Sequence, residues 1–338
     1  MNRSSLRTLT LMVAIVLLPS GAWAEHLFDG DAVLNLRLSG PLSDLVDDRK
    51  DEVPYDFTLT ADGTDFAVTL SPRGKSRLET CAFPPLRITF KESPPESSPF
   101  SGLDRVKLVT PCRDVHNMEM NVFEEYAAYR LFNLLSDVSY RARLLNITYE
   151  DTSGNLDGTH PAFAIEPTVH MAERLGGRER ELPGVSRKNL DPDHASRMYV
   201  FQYLVGNTDW SLVTAEGDEF CCHNGKLLQL GSQLYLVPYD FDRTGLVDAS
   251  YAKPAPKTRI RKVTQRRYRG YCMEDDAPLG EAVALTVALQ PEIMAILDQL
   301  PGLDNADREK TRSFLAGYFD EAKDRDALLE EFRRSCVG

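Results

Sequence analysis

The chain has 338 residues with a formal net charge of −12, 42% hydrophobic residues and six cysteines. That length supports a sizeable core in one large domain or two smaller units. The acidic balance argues against a general nucleic-acid binder, whose footprint would be basic.

Residues 1–24 read as a cleavable signal peptide. Arg3 and Arg7 precede an apolar run from Leu9 to Leu18, Pro19 and Gly21 break it, and Ala22-Trp23-Ala24 offers the small residues that a signal peptidase accepts. The run is too short to span a bilayer, and no later stretch is apolar enough, so stable membrane insertion after cleavage is not expected. The mature chain is expected in the periplasm or secreted. In such an oxidising compartment an even cysteine count reads as disulfides. Cys81 and Cys112 flank two strand-like runs and suit a staple, whereas adjacent Cys221 and Cys222 are expected to take different partners.

From Ala32 to Thr110 the pattern is one of strands and turns. Val33–Leu38 alternates, as do Phe57–Thr60 and Phe66–Leu70, which Asp62-Gly63 joins like a hairpin. Leu86–Lys91 alternates again, Glu92–Gly102 is a Pro- and Ser-rich loop, and Val106–Val109 forms a short strand. A helix follows over Met120–Leu135 with two apolar stripes, so it should be covered on more than one side. Glu125 falls on the second stripe and requires water or a cation. Strand-like runs at Arg141–Tyr149 and Ala162–Ile165 come next. Asp191-Pro192 reads as an N-cap and first-turn proline opening a helix that Gly206 ends. Two short strands at Lys226–Leu230 and Leu234–Val237 precede a helical region from Leu279 to Arg334. A strand-rich first half and a helix-rich second half imply an α+β arrangement, with residues 25–168 as a β-rich unit and 169–338 as a helical one.

The densest chemical signal is Gly206-Asn207-Thr208-Asp209-Trp210, then His223-Asn224, then Pro238-Tyr239-Asp240-Phe241-Asp242, each at the end of a regular element. Phosphoryl transfer from a nucleotide needs one carboxylate to orient the attacking hydroxyl, plus an amide oxygen and further carboxylates for Mg²⁺. Asp209, Asn224 and Asp240 with Asp242 occur in that order. Each also has an ordinary reading: Asn and Asp cap and turn chains, Asp240 and Asp242 can pair with Arg243, and His223 can be a structural neighbour of Asn224. Asn146-Ile147-Thr148 matches a glycosylation sequon inside an apparent strand.

With the preceding strands, Lys107 and the Glu125 helix, this order resembles the spore coat protein H kinase-like family of atypical kinases. The resemblance covers most of the mature chain and implies a two-lobed protein-kinase-like fold, with a strand-rich N-terminal lobe carrying one main helix and a helix-rich C-terminal lobe. It also implies ATP and Mg²⁺ or Mn²⁺ as cofactors. Asp209 matches the catalytic-loop aspartate, Asn224 the metal-binding asparagine, and Asp240 the aspartate of the Asp-Phe-Gly triplet, with Asp242 in place of its glycine. Lys107, or more weakly Lys91, matches the phosphate-gripping lysine, and Glu125, or Glu124 one residue away, matches its partner. Residues 162–167, Glu166 among them, match the hinge that meets adenine, while Arg73-Gly74-Lys75-Ser76 would lie over the phosphates. The chain departs from kinases in having no G-x-G-x-x-G loop, and in placing the asparagine fifteen residues after Asp209, where protein kinases have about five.

Six cations between Arg259 and Arg269 stand out against the acidic background. They suit either a solvated face or a surface for phosphate or an acidic acceptor. The expectation is an exported phosphotransferase acting on a hydroxyl of a protein or small molecule. An inactive nucleotide-binding or scaffolding module and a metal-dependent hydrolase stand as alternatives.

Overall fold

The computed structural model describes residues 26–113, 115–213 and 220–338. The signal peptide expected at 1–24 lies outside the described residues.

The first half builds a barrel. Strand β1 (Leu34–Gly40) is followed by helix α1 (Leu42–Asp47), strands β2 (Tyr55–Ala61) and β3 (Thr64–Pro72), and helix α2 (Lys75–Thr80). Strands β4 (Leu86–Phe90) and β5 (Arg105–Val109), helix α3 (His116–Leu135), and strands β6 (Ala142–Asp151) and β7 (Gly158–Ile165) complete it. The β2–β3 hairpin turns on Asp62 and Gly63, with φ of 47° and 75°, the left-handed pair that a tight two-residue turn requires. The strands close in the order β1-β2-β3-β4-β5-β7-β6, and parallel pairing of β1 with β6, Leu34 opposite Leu145 through Gly40 opposite Asp151, seals the ring. Alternate residues point inward, so Leu38, Leu59, Val68, Leu70, Leu86, Leu108 and Ile147 fill the interior. Each such side chain contributes about 1.5–3 kcal/mol by burial.

This closure overturns the expected two-lobed protein-kinase-like fold. A seven-stranded closed barrel of mixed parallel and antiparallel pairing stands in place of an open N-terminal sheet. Alternation reports which face of a strand is buried, whereas the β1–β6 pairing joins residues more than a hundred positions apart and leaves no local mark.

Beyond β7 come helix α4 (Thr168–Arg174), strand β8 (Arg178–Arg180) and helix α5 (Pro192–Leu204). Strands β9 (Gly225–Leu230) and β10 (Gln233–Pro238) form a small sheet with β8. Helices α6 (Ala277–Ala288), α7 (Gln290–Gln299), α8 (Asn305–Ala322) and α9 (Arg325–Ser335) end the chain. Helix α5 is capped as its sequence anticipates: Asp191 accepts from the His194 N–H at 2.9 Å, Pro192 occupies the first turn, and Gly206 at φ 67° ends it. Helix α3 packs on β6, β7, α5 and α7, which explains its two apolar stripes. Among the described residues no single helix is long and apolar enough to cross a membrane; α6 and α7 reach that length and apolarity only together, as a pair bent by 51°.

Three disulfides tie the chain, as suits an oxidising, extracellular compartment. Cys81–Cys112 joins the end of α2 to the segment after β5, and Cys272–Cys336 fastens the C-terminus. The third joins Cys221 to Cys222, which corrects the expectation of different partners. With the other four cysteines already matched in space, these two are left to each other.

Candidate active site

Three segment ends converge between the barrel and the helices. After α5, the Gly206 turn reverses the chain, its carbonyl accepting from the Gly245 N–H at 3.2 Å. Asn207 Oδ1 then accepts from the Asp209 N–H at 2.8 Å, so the capping role foreseen for these residues falls to Asn207 and leaves the Asp209 carboxylate to other partners. The β9–β10 hairpin supplies the second and third segments. Its register sets Gly225 opposite Pro238, so the residues just outside its open end, Asn224 and Tyr239–Asp240, lie side by side. Asn224 and Asp240 have φ of 50° and 64°, a conformation uncommon in non-glycine residues and concentrated at functional sites.

Asp209 sits at the centre of a polar network. His223 Nε2 lies 3.1 Å from its Oδ1, Asn224 Nδ2 donates to its carbonyl at 2.7 Å and to Oδ2 at 3.3 Å, and Arg243 Nε is 3.9 Å from Oδ2. Burial acts to raise the Asp209 pKa, but the His223 hydrogen bond and then the His223 and Arg243 charges outweigh it and hold the carboxyl below its ordinary value. Asp209 is therefore ionised and oriented at neutral pH. His223, read from the sequence as a mere neighbour of Asn224, is one of the groups that orients it.

A cavity of about 40 Å³ beside this network is lined by Arg73, Lys107, Tyr129, Glu166, Lys226 and Asp240, among others. Tyr129 Oη accepts from the Asp240 N–H at 3.1 Å. Burial, followed by the neighbouring Asp242 charge, pushes Asp240 above the usual carboxylate range. Arg73 is anchored by donating to the carbonyls of Leu86 and Leu108 at 3.2 and 2.9 Å. Lys107 lies 6.0 Å from the Tyr239 ring centroid. Desolvation at the cavity wall, then the charges of Arg73, Lys226 and Arg87, bring Lys107 down to about 8. Its side chain stays open to solvent. Glu166 is committed elsewhere: Arg174 donates to both of its oxygens at 2.8 and 2.9 Å, and the Arg141 N–H at 3.0 Å.

The expected pairing of Lys107 with Glu125 is not what forms. Glu125 faces Arg77 of α2, at 3.6 Å, and Arg77 also lies 3.9 Å from Asp242. Arg77 is buried and donates to the Thr110 carbonyl at 3.2 Å, so α2 places a guanidinium where the lysine was expected to reach. Six residues are too few to show helical periodicity in the sequence, so nothing local marks Arg77. Burial pushes Glu125 well above the usual carboxylate range, against Arg77 and with help from Asp242 and Asp240. The two candidate glutamates of α3 take different partners. Glu124 turns to α8, where Thr311 donates to it at 3.0 Å, while Glu125 belongs to the site. Lys91 pairs with Asp56 at 2.6 Å on the barrel exterior, and Lys75 is exposed at the start of α2.

Oxygen ligands suit Mg²⁺ or Mn²⁺, and the residues present fit such an ion in part. Asp240 lines the cavity and Asn224 donates its amide nitrogen to Asp209, which keeps Oδ1 as a ligand atom, whereas Glu125 Oε1, buried with no hydrogen-bond partner, lies on the separate side lined by Arg77 and Asp242. Asp242 instead serves Arg77, at 3.9 Å, on the side that Tyr251 also lines. A separate cluster of His116, Asp304 and Asp307 lies where the start of α3 meets the start of α8; Asp304 is the N-cap of α8 and accepts from the Asp307 N–H at 2.8 Å. Neither the scan against protein-family models nor the search of curated proteins returns a match.

Proposed function

We propose that the protein is an exported phosphotransferase, periplasmic or secreted, that moves the γ-phosphoryl group of ATP to a hydroxyl. The observation that carries this reading is the composition of the small cavity. Arg73 and Lys107 face Asp240 there without a further free carboxylate, because Glu166 is taken by Arg174, and the third cation of the lining, Lys226, is taken by Glu179 at 3.0 Å. Two cations opposed to one metal-type carboxylate match a metal-bound polyphosphate.

Asp209, ionised and held by His223 and Asn224, would accept a hydrogen bond from the acceptor hydroxyl and align it for in-line attack. Arg73 and Lys107 would hold the phosphate oxygens. Asn224 Oδ1 and Asp240 would bind Mg²⁺ or Mn²⁺, which supplies charge neutralisation at the phosphates. Glu125 and Asp242 brace Arg77 and thereby the wall between α2 and α3. The sequence order that resembles the spore coat protein H kinase-like family supports this chemistry, while the kinase fold that the resemblance implied is set aside.

The cavity volume favours a second reading. About 40 Å³ admits a cation and water, whereas ligand pockets run to roughly 300–1,000 Å³. Catalysis thus requires the barrel and helices to part, and a protein that never parts them would be a scaffold. Transfer of labelled γ-phosphoryl to a serine-containing peptide library distinguishes the two. Wild type should label the library with Mn²⁺ or Mg²⁺ present, and Asp209→Asn should not, although it still binds nucleotide. Equal labelling by Asp209→Asn would remove Asp209 from its role.

A further inference from the structure

Between Ala249 and Met273 the chain holds eight Lys and Arg residues and no Asp or Glu, within a protein of net charge −12. The structure divides these cations by job. Arg266 is a structural clamp: it donates to the Leu204 carbonyl and the Phe314 carbonyl and lies 4.1 Å from the Phe314 ring centroid. Arg267 pairs with Glu331 at 3.7 Å. Arg269 is close enough to Asp209 for the two charges to act on each other. The other five, Lys253, Lys257, Arg259, Arg261 and Lys262, are exposed, and among the described residues none of them forms an ion pair.

The five are held in a built loop beside the site. The Ala255 N–H donates to Thr208 Oγ1 at 3.1 Å, which ties the segment to the residue before Asp209. Thr258 is buried and its hydroxyl donates to the Ala255 carbonyl at 2.7 Å. Its neighbours Lys257 and Arg259 have φ of 67° and 61°, so two non-glycine residues take a left-handed backbone around one buried threonine, and both cations remain exposed. Gln265 Oε1 accepts from the Arg261 and Lys262 N–H groups at 2.7 and 3.2 Å, fixing the next turn. The cost of two left-handed residues and the concentration of uncompensated charge have no role in packing the core.

We infer that residues 253–262 form a docking strip for an acidic stretch of polypeptide, whose hydroxyl side chain is thereby delivered to Asp209 between Arg243 and Arg269. The identification of that hydroxyl as acceptor rests on the phosphotransfer reading; the docking itself does not. A linear partner is favoured over a flat anionic surface because the strip leads from an exposed loop to a half-buried carboxylate. A chain can follow that path, whereas a membrane plane meets only its outer end. Charges of this exposed kind set encounter rate and salt dependence and act together rather than singly.

The test is fluorescence anisotropy of a labelled peptide of repeating Glu-Ser-Glu, titrated with the full-length mature protein carrying Asp209→Asn, without nucleotide. Binding is expected, weakening as salt rises, with no binding of the length-matched peptide in which Gln replaces Glu. Charge reversal at Lys257, Arg259, Arg261 and Lys262 to Glu should weaken binding on the order of tenfold or more, and neutralisation of the same four to Gln gives an independent check on folding-compatible variants. No binding by the unreversed protein, or binding by the reversed and neutralised variants as tight as that of the unreversed protein, overturns the inference. So does binding to phosphatidylglycerol vesicles in preference to the peptide. Docking without any transfer by the protein with native Asp209, Mn²⁺ and ATP would overturn the phosphotransfer reading alone. Transfer to the Gln peptide as efficiently as to the Glu peptide would overturn the docking inference alone.

Discussion

Glu124 offers a test of how well the buried charges are understood, because it titrates apart from the site. Its side chain is fully buried; Asn121 Nδ2 donates to Oε2 at 2.8 Å, Thr311 Oγ1 to Oε1 at 3.0 Å, and Lys310 Nζ lies 3.9 Å away. Burial, opposed by Lys310 and these hydrogen bonds, pushes its carboxyl up from 4.5 to about 7. The folded protein therefore holds a proton that the unfolded chain has released between those values. The associated stability is fully present below about pH 4.5 and is lost as pH rises through about 7. Two and a half pH units at about 1.4 kcal/mol each put the loss near 3 kcal/mol. Glu124→Gln mimics the protonated form and should abolish this component. Urea unfolding of both proteins in metal-free buffer from pH 4.5 to 8.5 gives the difference directly. The variant should match or slightly trail the wild type at the acid end, since its amide now faces the Asn121 amide, and should exceed it by about 3 kcal/mol at the alkaline end. A difference that does not change with pH, or one that favours the wild type at pH 8, would refute the reasoning.

Arg77→Met removes a guanidinium that faces both Glu125 and Asp242, and loss of one partner from a buried charged group costs about 3–5 kcal/mol. Denaturant unfolding should show that loss, and adding Glu125→Gln should restore part of it; a cost under about 1 kcal/mol would mean that water already serves these carboxylates. Replacing Cys272 and Cys336 with Ser opens a loop with a sequence separation of 64, for which chain entropy gives a loss of about 4 kcal/mol. An unchanged unfolding midpoint in the oxidised state would contradict that.

The elements that are legible in the sequence are those whose cause is local. Asp62-Gly63 demands a left-handed turn wherever it occurs, and Asp191-Pro192 with Gly206 brackets α5 through capping chemistry alone. The barrel is not legible, because each strand alternates in the same way whether its sheet is open or closed, and closure resides in the β1–β6 register. Within the site, Asp209, Asn224 and Asp240 could be found because each stands at the end of a regular element. Arg77 could not, since α2 is short and the residue acts through the position that the Cys81–Cys112 bridge and the barrel wall give it. Lys107 was chosen for standing on the strand before the long helix, which places it at the cavity but says nothing of which carboxylate it will meet. The vicinal pair Cys221–Cys222 departs from expectation for a related reason: which cysteines meet is set by the fold, which brings Cys81 to Cys112 and Cys272 to Cys336.

Phosphotransfer by this protein requires the cavity between Arg73, Lys107 and Asp240 to take up a metal-bound nucleotide. Thermal unfolding of the oxidised mature protein, titrated with ATP and Mn²⁺ or Mg²⁺ beside Asp240→Ala, measures this. Ligand that binds only the native state stabilises it by about 2.7 kcal/mol at a hundredfold excess over Kd, which for a chain of this size is a rise on the order of 5 °C. A metal-dependent rise that Asp240→Ala abolishes is the predicted result. No rise with either metal would contradict the account and leave the protein a scaffold.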